Sequence, residues 1–328
     1  MNYERFKAKR QEILREALSI TDGAEMNLYE ALAPLVVSTA ANTREKVHRC
    51  HLAAEWTALF ELPSEMSKRA LISNGVRDSL ARLFERYASQ GARAWLPSDT
   101  YPVFHELAAA AKLPVQEYPT LPEPAWPTKP PEDGLEIMLI TNPMKPLGRW
   151  LSGDDVAALK LWLGASPHRR LLIDAVYTFG TTFHEATLEL MRGGQTLLLH
   201  SLTKGWLRPR LFGVTVVPPD DVASLAPVFR EAPPPQSSLA EARWLMSDHQ
   251  KKPELVRAAI GSASRTLRLK YPQLFHPGGA SELVGYFHPV HKPWAALLAE
   301  DRLLGIPATV FGSKLEDITI LSSLTFIK

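Results

Sequence analysis

Cysteine is almost absent from this chain: Cys50 is the only one in 328 residues. A lone thiol excludes an internal disulfide and a cysteine-rich metal site, and it suits a reducing compartment. Long apolar runs are missing too; none approaches the roughly 20 residues that a membrane helix needs, so no membrane association is expected. Charge of one sign is scarce, with 37 Lys and Arg against 35 Asp and Glu and a net charge of +2. No basic block with interleaved aromatics occurs, which argues against a nucleic-acid partner. The opening MNYERFKAKRQEILREAL is a charged helical pattern without an apolar centre, unlike a secretory leader. We therefore expect a cytoplasmic protein. Neither internal repeats nor low-complexity tracts interrupt the chain.

What is present is an ordinary globular composition, 45% hydrophobic and 22% charged, over a length that suits two lobes or one large α/β domain with an appendage. Residues 4–20 and 25–38 read as amphipathic helices, with Leu14, Leu18, Leu28, Leu32 and Leu35 at helical spacing, and 42–62 reads as helical again. Strand patterns then alternate with helical ones. The strands are 69–72, 92–96, 113–118, 135–140, 171–173 and the two runs on either side of 200–213; helices are expected over 78–87, 103–112, 153–164 and 183–192. No hairpin signal intervenes, so the pattern predicts a mainly parallel sheet with crossover helices and with reactive groups at the carboxyl ends of the strands. The run TLPEPAWPTKPPEDG carries five prolines and is expected to be an extended surface connection. Ala232-Pro233-Pro234-Pro235 reads as a linker into a smaller α+β lobe, with helices at 238–249, 254–270 and 293–303 and strands at 286–288, 308–311 and 318–326. The expected division is 1–45, N-terminal helices packing with the small domain; 46–232, the large domain; and 233–328, the small domain.

Chemistry concentrates in LLLHSLTKGWLRPRLFG, Leu197–Gly213. An apolar run delivers Ser201-Leu202-Thr203 onto Lys204, and a second apolar run follows two arginines, Arg208 and Arg210. A lysine held beside low-dielectric interior is pushed toward its neutral form, as an amine that attacks a carbonyl must be. Arginines a few residues on suit a phosphate dianion. Alone, the stretch also fits a strand end with a snorkelling lysine. Three further strand ends carry reactive groups: Ser73-Asn74-Gly75 before a helix start, an anion-binding arrangement; Tyr101 after the second strand; and Asp174 with Tyr177. A carboxylate buried at a strand end needs a positive or hydrogen-bonding partner. Taken singly, Asp174 also suits a cap or a pair with Arg170, and Tyr101 a packed turn aromatic.

Taken in order, these segments resemble the class I/II aminotransferases, the fold type I family that uses pyridoxal 5′-phosphate. LLIDAVYTFG looks like that family's strand-Asp-x-x-Tyr segment, HSLTKGWLRPRLFG its Ser-x-Ser-Lys block with a downstream arginine, ITNPMKPLG its Asn-Pro-x-Asn-Pro-x-Gly turn, and LPSDTYPVF its Pro-x-Tyr segment; VGYFHPV and IPATVFG are similar to its late small-lobe strands. The resemblance implies an α/β fold type I large domain with a mainly parallel sheet, a smaller α+β domain and a homodimer. By the same resemblance Lys204 is the Schiff-base lysine and general base, Asp174 binds the pyridine nitrogen, Tyr177 the phenolic oxygen, and Tyr101 stacks on the ring. Gly75, Val76, Arg77 and Ser201 bind phosphate with Arg210 or Arg208, Arg210 being preferred for the Leu-Phe-Gly that follows it. Asn142 joins the cofactor set.

Two departures stand out. The second asparagine of the family turn is replaced by Lys145, and the stretch 317–322 (DITILS) lacks the arginine with which the family clamps a substrate carboxylate. His200 is expected to pack behind its strand rather than face the cofactor. His184, His276, His288 and His291 lack metal-ligand spacing, and no metal is expected. Tyr29 is a weak match to a tyrosine that reaches a neighbouring subunit in relatives. The expected activity is that of an aminotransferase in amino-acid metabolism and biosynthesis, acting on a small amino acid or amine. Decarboxylation, elimination or racemisation share every residue named, and a non-catalytic ligand- or partner-binding relative is the alternative of another class.

Overall fold

The computed structural model describes residues 3–17, 19–37, 46–128, 134–275 and 284–327. Leu18, His276, residues 38–45 and residues 129–133 of the proline-rich run therefore lie outside the described residues. The strands, in chain order, are β1 (Thr21–Asp22), β2 (Ala70–Ser73), β3 (Arg93–Pro97), β4 (Val115–Tyr118), β5 (Glu136–Thr141), β6 (Arg169–Asp174), β7 (Thr196–Ser201), β8 (Gly213–Val216), β9 (Phe287–Val290), β10 (Leu303–Leu304), β11 (Ile306–Pro307) and β12 (Thr319–Ser322).

Seven of them form one sheet in the order β2-β8-β7-β6-β5-β3-β4. The pairs from β4 through to β7 are parallel, and β8 runs antiparallel to both its neighbours. Leu171, Leu172, Ile173, Leu197, Leu198 and Leu199 are fully buried, as continuous apolar strands must be when helices cover both faces. On one face, Leu80, Leu83 and Phe84 of the helix Val76–Ser89 pack with Leu139, Leu172 and Leu199. The opposite face near β2, β7 and β8 is covered by Trp56 of Arg49–Leu59 together with Leu239, Ala242 and Leu245 of Gln236–Asp248. That second helix follows Pro233-Pro234-Pro235 yet packs on the large sheet. The layer changes only with the long helix Lys252–Lys270, past the boundary expected at 232.

Beyond it lies a three-stranded antiparallel sheet, β11-β12-β9. The N-terminus joins this lobe: β1 pairs in parallel with β10, Thr21 opposite Leu303, and Phe6 is buried in a core cluster with Leu304 and Phe311. Three expectations change. Residues 25–38 are not one helix but a turn at Leu28–Ala31 and a 3-10 turn at Ala33–Leu35, because Pro34 has no N–H to continue the ladder. Residues 308–311 are a 3-10 turn rather than a strand; it starts from Pro307 and stops at Gly312, whose φ of +91° brings the chain against Ser98. The strand expected over 318–326 ends at Ser322, and a 3-10 turn follows at Leu324–Phe326.

The carboxyl edge of the sheet is aligned by register. Ser73 and Ser201 both pair with Gly213, Leu199 with Asp174, and Asp174 with Thr141. Gly213 is there for space: a Cβ on it would stand 2.6 Å from the Gly75 Cα and 2.7 Å from the Ser73 Oγ. Gly75 itself has φ +122°, a region closed to side-chain-bearing residues in practice. Gly213→Ala should therefore displace the turn at Gly75 and cost about 1–3 kcal/mol of stability. Thermal unfolding of the variant checks this; an unchanged midpoint would show that the turn has room to move.

Candidate active site

At that edge is a cavity of about 360 Å3. Gly75, Val76, Arg77, Tyr101, Asp174, Tyr177, Ser201, Lys204 and Arg210 all line it, so nine of the residues picked from sequence are brought together from five separate segments. The tenth is not. Asn142 is fully buried and does not line the cavity; its amide nitrogen donates to Thr187 Oγ1 at 2.8 Å and its oxygen accepts from the Leu151 N–H at 3.1 Å. The amide is thus bonded within the turn, on one side to Thr187 and on the other to the backbone of Leu151.

Asp174 ends β6 and is 6% exposed. Among the described residues its carboxylate accepts one hydrogen bond, from the Val176 N–H at 3.0 Å. Burial pushes its pKa up to about 6, against the pull of Lys145 and Lys204. Lys204 sits in the single turn Leu202–Gly205, which Ser201 caps by accepting from the Thr203 N–H. Its Nζ lies 4.9 Å from the centre of the Tyr29 ring and 5.5 Å from that of Tyr177. Burial pushes this amine down to about 8, opposed by the attraction of Asp174. Carboxylate and amine share the cavity without closing into an ion pair, which leaves both for another partner.

The helix Val76–Ser89 opens onto the cavity with no side-chain cap, so the first-turn N–H groups of Val76 and Arg77 are free of helical partners. Arg210 also lines the cavity and holds a left-handed backbone, φ +58°. Such a conformation costs a non-glycine residue about 1–3 kcal/mol and is kept where the surroundings require it. Arg208 pairs instead with Glu241. The two arginines that sequence left unseparated thus have different neighbours. Tyr101 stays 45% exposed at the rim, edge-on to Tyr3 with ring centres 5.8 Å apart.

Several lining residues had no sequence signal of their own. Tyr286 and Phe287 arrive from the small lobe, and Tyr3 and Met26 from the N-terminal segment. Lys145, noticed only as a departure, is central. Its Nζ donates to Tyr177 Oη at 2.5 Å and stands 4.0, 4.5 and 5.3 Å from the ring centres of Tyr177, Phe287 and Tyr286. Tyr286 Oη also donates to Tyr177 Oη, at 3.2 Å. Burial, then the charge of Lys204, hold Lys145 well below the ordinary lysine range, with Asp174 pulling the other way. His200 packs as expected: it is buried against Phe60 and Phe183, accepts from Trp56 Nε1 at 3.3 Å, and is kept neutral by burial with a pKa near about 3. Tyr29 reaches the Thr203 carbonyl of its own chain at 3.4 Å. No group of three or more metal-ligating side chains occurs among the described residues.

The sequence pattern described as aminotransferase class I and II matches residues 38–243. The chain belongs to the class I and II aminotransferase family. Its enzyme class is that family's, pyridoxal-phosphate-dependent transferases. No curated protein matches the chain. Among solved structures it is similar to an aminotransferase from Mycobacterium tuberculosis, at 15% identity and TM-score 0.69, covering 98% of this chain and 91% of that one. It is similar to YbdL from Escherichia coli, for which a methionine aminotransferase function is described, at 15% identity and TM-score 0.69, covering 98% and 94%. An aspartate aminotransferase double mutant from Thermus thermophilus gives 17% identity and TM-score 0.67, covering 98% and 91%. At these identities the likeness is one of fold, and it establishes the fold type I architecture for this aminotransferase. No helix among the described residues is long and apolar enough to cross a membrane.

The raised pKa of Asp174 has a measurable consequence for the cofactor-free aminotransferase. The folded state binds this proton more tightly than the unfolded chain, so its contribution is present below about pH 3.8 and is lost as pH rises through about 6. Urea unfolding across this window should show Asp174→Asn gaining on wild type by about 3 kcal/mol between the two ends. A difference independent of pH would mean that the carboxylate is not desolvated.

Proposed function

We propose that this aminotransferase-family chain binds pyridoxal phosphate in the cavity at the sheet's carboxyl edge and transfers the amino group of a small amino acid or amine. The observation that carries this is the pairing of a buried, under-bonded carboxylate, Asp174, with a nucleophilic amine, Lys204, in one cavity. The donor set fits the cofactor. Asp174 lacks a cationic partner within ion-pair distance among the described residues, and a protonated pyridine nitrogen supplies one. The free N–H groups at the start of the helix Val76–Ser89, with Ser201, Arg77 and Arg210, suit a phosphate dianion. Tyr177, fed by Lys145 and Tyr286, suits the phenolic oxygen, and Tyr101 the ring face.

When bound, the cofactor supplies an electron-withdrawing ring that takes up negative charge developing at the substrate's α-carbon. Asp174 keeps a proton on the ring nitrogen. Lys204, its pKa lowered to about 8 by burial, is the residue that would hold the cofactor's carbonyl carbon, and once freed it would serve as the base that moves the proton of the substrate's α-carbon. Ser201 fixes the turn that aims this amine. The rings of Tyr29, Tyr177 and Tyr286 exclude water around it.

A homodimer and a cytoplasmic, biosynthetic setting belong to the same reading: the first rests on the family, the second on the single exposed thiol of Cys50. So does the division into N-terminal helices, large domain and small domain, supported by the pairing of β1 with β10. The absence of arginine from residues 317–322 favours a second outcome, decarboxylation or elimination on the same residues.

Purified protein mixed with pyridoxal phosphate should develop absorbance above about 400 nm. Lys204→Ala should abolish that band and lower turnover about 10^2- to 10^4-fold, while borohydride reduction and peptide mapping should place the label on residue 204. Protein left without a bound chromophore once free cofactor is removed by gel filtration, or a label on Lys145, would defeat the assignment.

A further inference from the structure

We propose that Lys145 is the group that holds the substrate's carboxylate, so that this aminotransferase takes a monocarboxylate amino acid with an apolar side chain rather than a simple amine. The inference rests on the reading of Lys204 and Asp174 given above and goes beyond it by naming the substrate class.

Among the described residues, four basic side chains line the cavity: Arg77, Lys145, Lys204 and Arg210. Arg77, in the first turn of its helix, and Arg210 are the pair assigned to phosphate above, and Arg77 is largely exposed and 3.9 Å from Glu106. Lys204 is engaged with the cofactor. Lys145 alone is left to meet an anion. It has no carboxylate partner among the described ion pairs, although Asp174 acts on it through space. An ammonium buried without a counter-ion is costly, and this one is driven toward the neutral form; an arriving carboxylate removes that cost. The Tyr177, Phe287 and Tyr286 rings, all within 5.3 Å, keep water out and favour the cation once it forms.

Position agrees with charge. Lys145 Nζ and Lys204 Nζ stand over the same Tyr177 ring, 4.0 and 5.5 Å from its centre. An α-amino acid carries amine and carboxylate on one carbon, so a substrate whose amine takes the place of Lys204 brings its carboxylate to the ring that Lys145 also borders. Tyr3, Met26, Phe287 and Phe311 give the wall an apolar side, and among the described residues Asp174 is the one acidic residue of the lining. That wall suits an apolar side chain, and a basic one meets no further carboxylate among the described lining residues.

The test uses cofactor-loaded protein and two unreactive probes, 3-phenylpropanoate and 3-phenylpropan-1-ol, which share a skeleton and differ in charge. Calorimetry should show the acid binding about tenfold or more tightly than the alcohol. In Lys145→Met that preference should fall to about onefold with the alcohol unaffected, and Lys145→Arg should retain it. A wild-type protein that does not prefer the acid, or a preference that survives in Lys145→Met, overturns the inference. Cofactor uptake is read first by absorbance. Failure at that stage defeats the underlying reading, whereas uptake without acid preference defeats this inference alone.

Discussion

One carboxylate and two amines, Asp174, Lys145 and Lys204, are buried at the wall of a single cavity, and none of them closes into an ion pair with another. That constraint organises the rest of the molecule. Charges kept apart at low dielectric are costly to fold around, and the chain tolerates them because β5, β6 and β7 fix where each one emerges. Thr141, Asp174 and Leu199 lie side by side in register, so the carboxylate stands between the turn carrying Lys145 and the turn carrying Lys204. Burial shifts each of the three toward neutrality; Asp174 opposes that shift on both amines, the amines oppose it on Asp174, and Lys204 adds to it on Lys145.

The supports of this arrangement are small and buried. Gly213 lets the antiparallel strand β8 come within contact of Gly75, which sets the helix start against the cavity. Asn142 holds its turn from beneath through Thr187 and Leu151. Asp99 accepts three hydrogen bonds, from Thr120 N, Thr120 Oγ1 and Leu121 N, and so pins the start of the proline-rich connection beside the loop that carries Tyr101. The groups meant to meet ligand are left with unfilled bonding capacity, whereas those that position them are satisfied.

The aromatic wall comes from elsewhere in the chain. Tyr286 and Phe287 belong to the small lobe and Tyr3 to the N-terminal helix, yet they border the same space as Tyr177. They are brought there by the continuous core that joins Phe6, Ile140, Leu304 and Phe311. The shape of this wall is thus tied to how the lobes pack, while Asp174, Lys145 and Lys204 stand at the carboxyl edge of the seven-stranded sheet.

Much of this was legible in the chain itself. Unbroken apolar runs at 171–173 and 197–199 dictated buried parallel strands, and a reactive residue directly after each run had to appear at the sheet's carboxyl edge; Asp174, Ser201 and Lys204 follow from that local pattern. His200 directly follows the second run as well, yet it packs against Phe60, Phe183 and Trp56 on the covered side of the strand. Alternation could not reveal that Pro34 and Pro307 break elements that their neighbours favour, nor that 236–248 returns to the large sheet. Those outcomes depend on contacts between distant segments. Equally, Asn142 and Lys145 share one turn and one composition signal, and only packing sends the first inward to Thr187 and the second up against Tyr177. Local sequence determined which residues stand at strand ends; tertiary packing decided which way each side chain faces and which charges share a cavity, because burial and Coulomb coupling exist only between groups that folding has brought together.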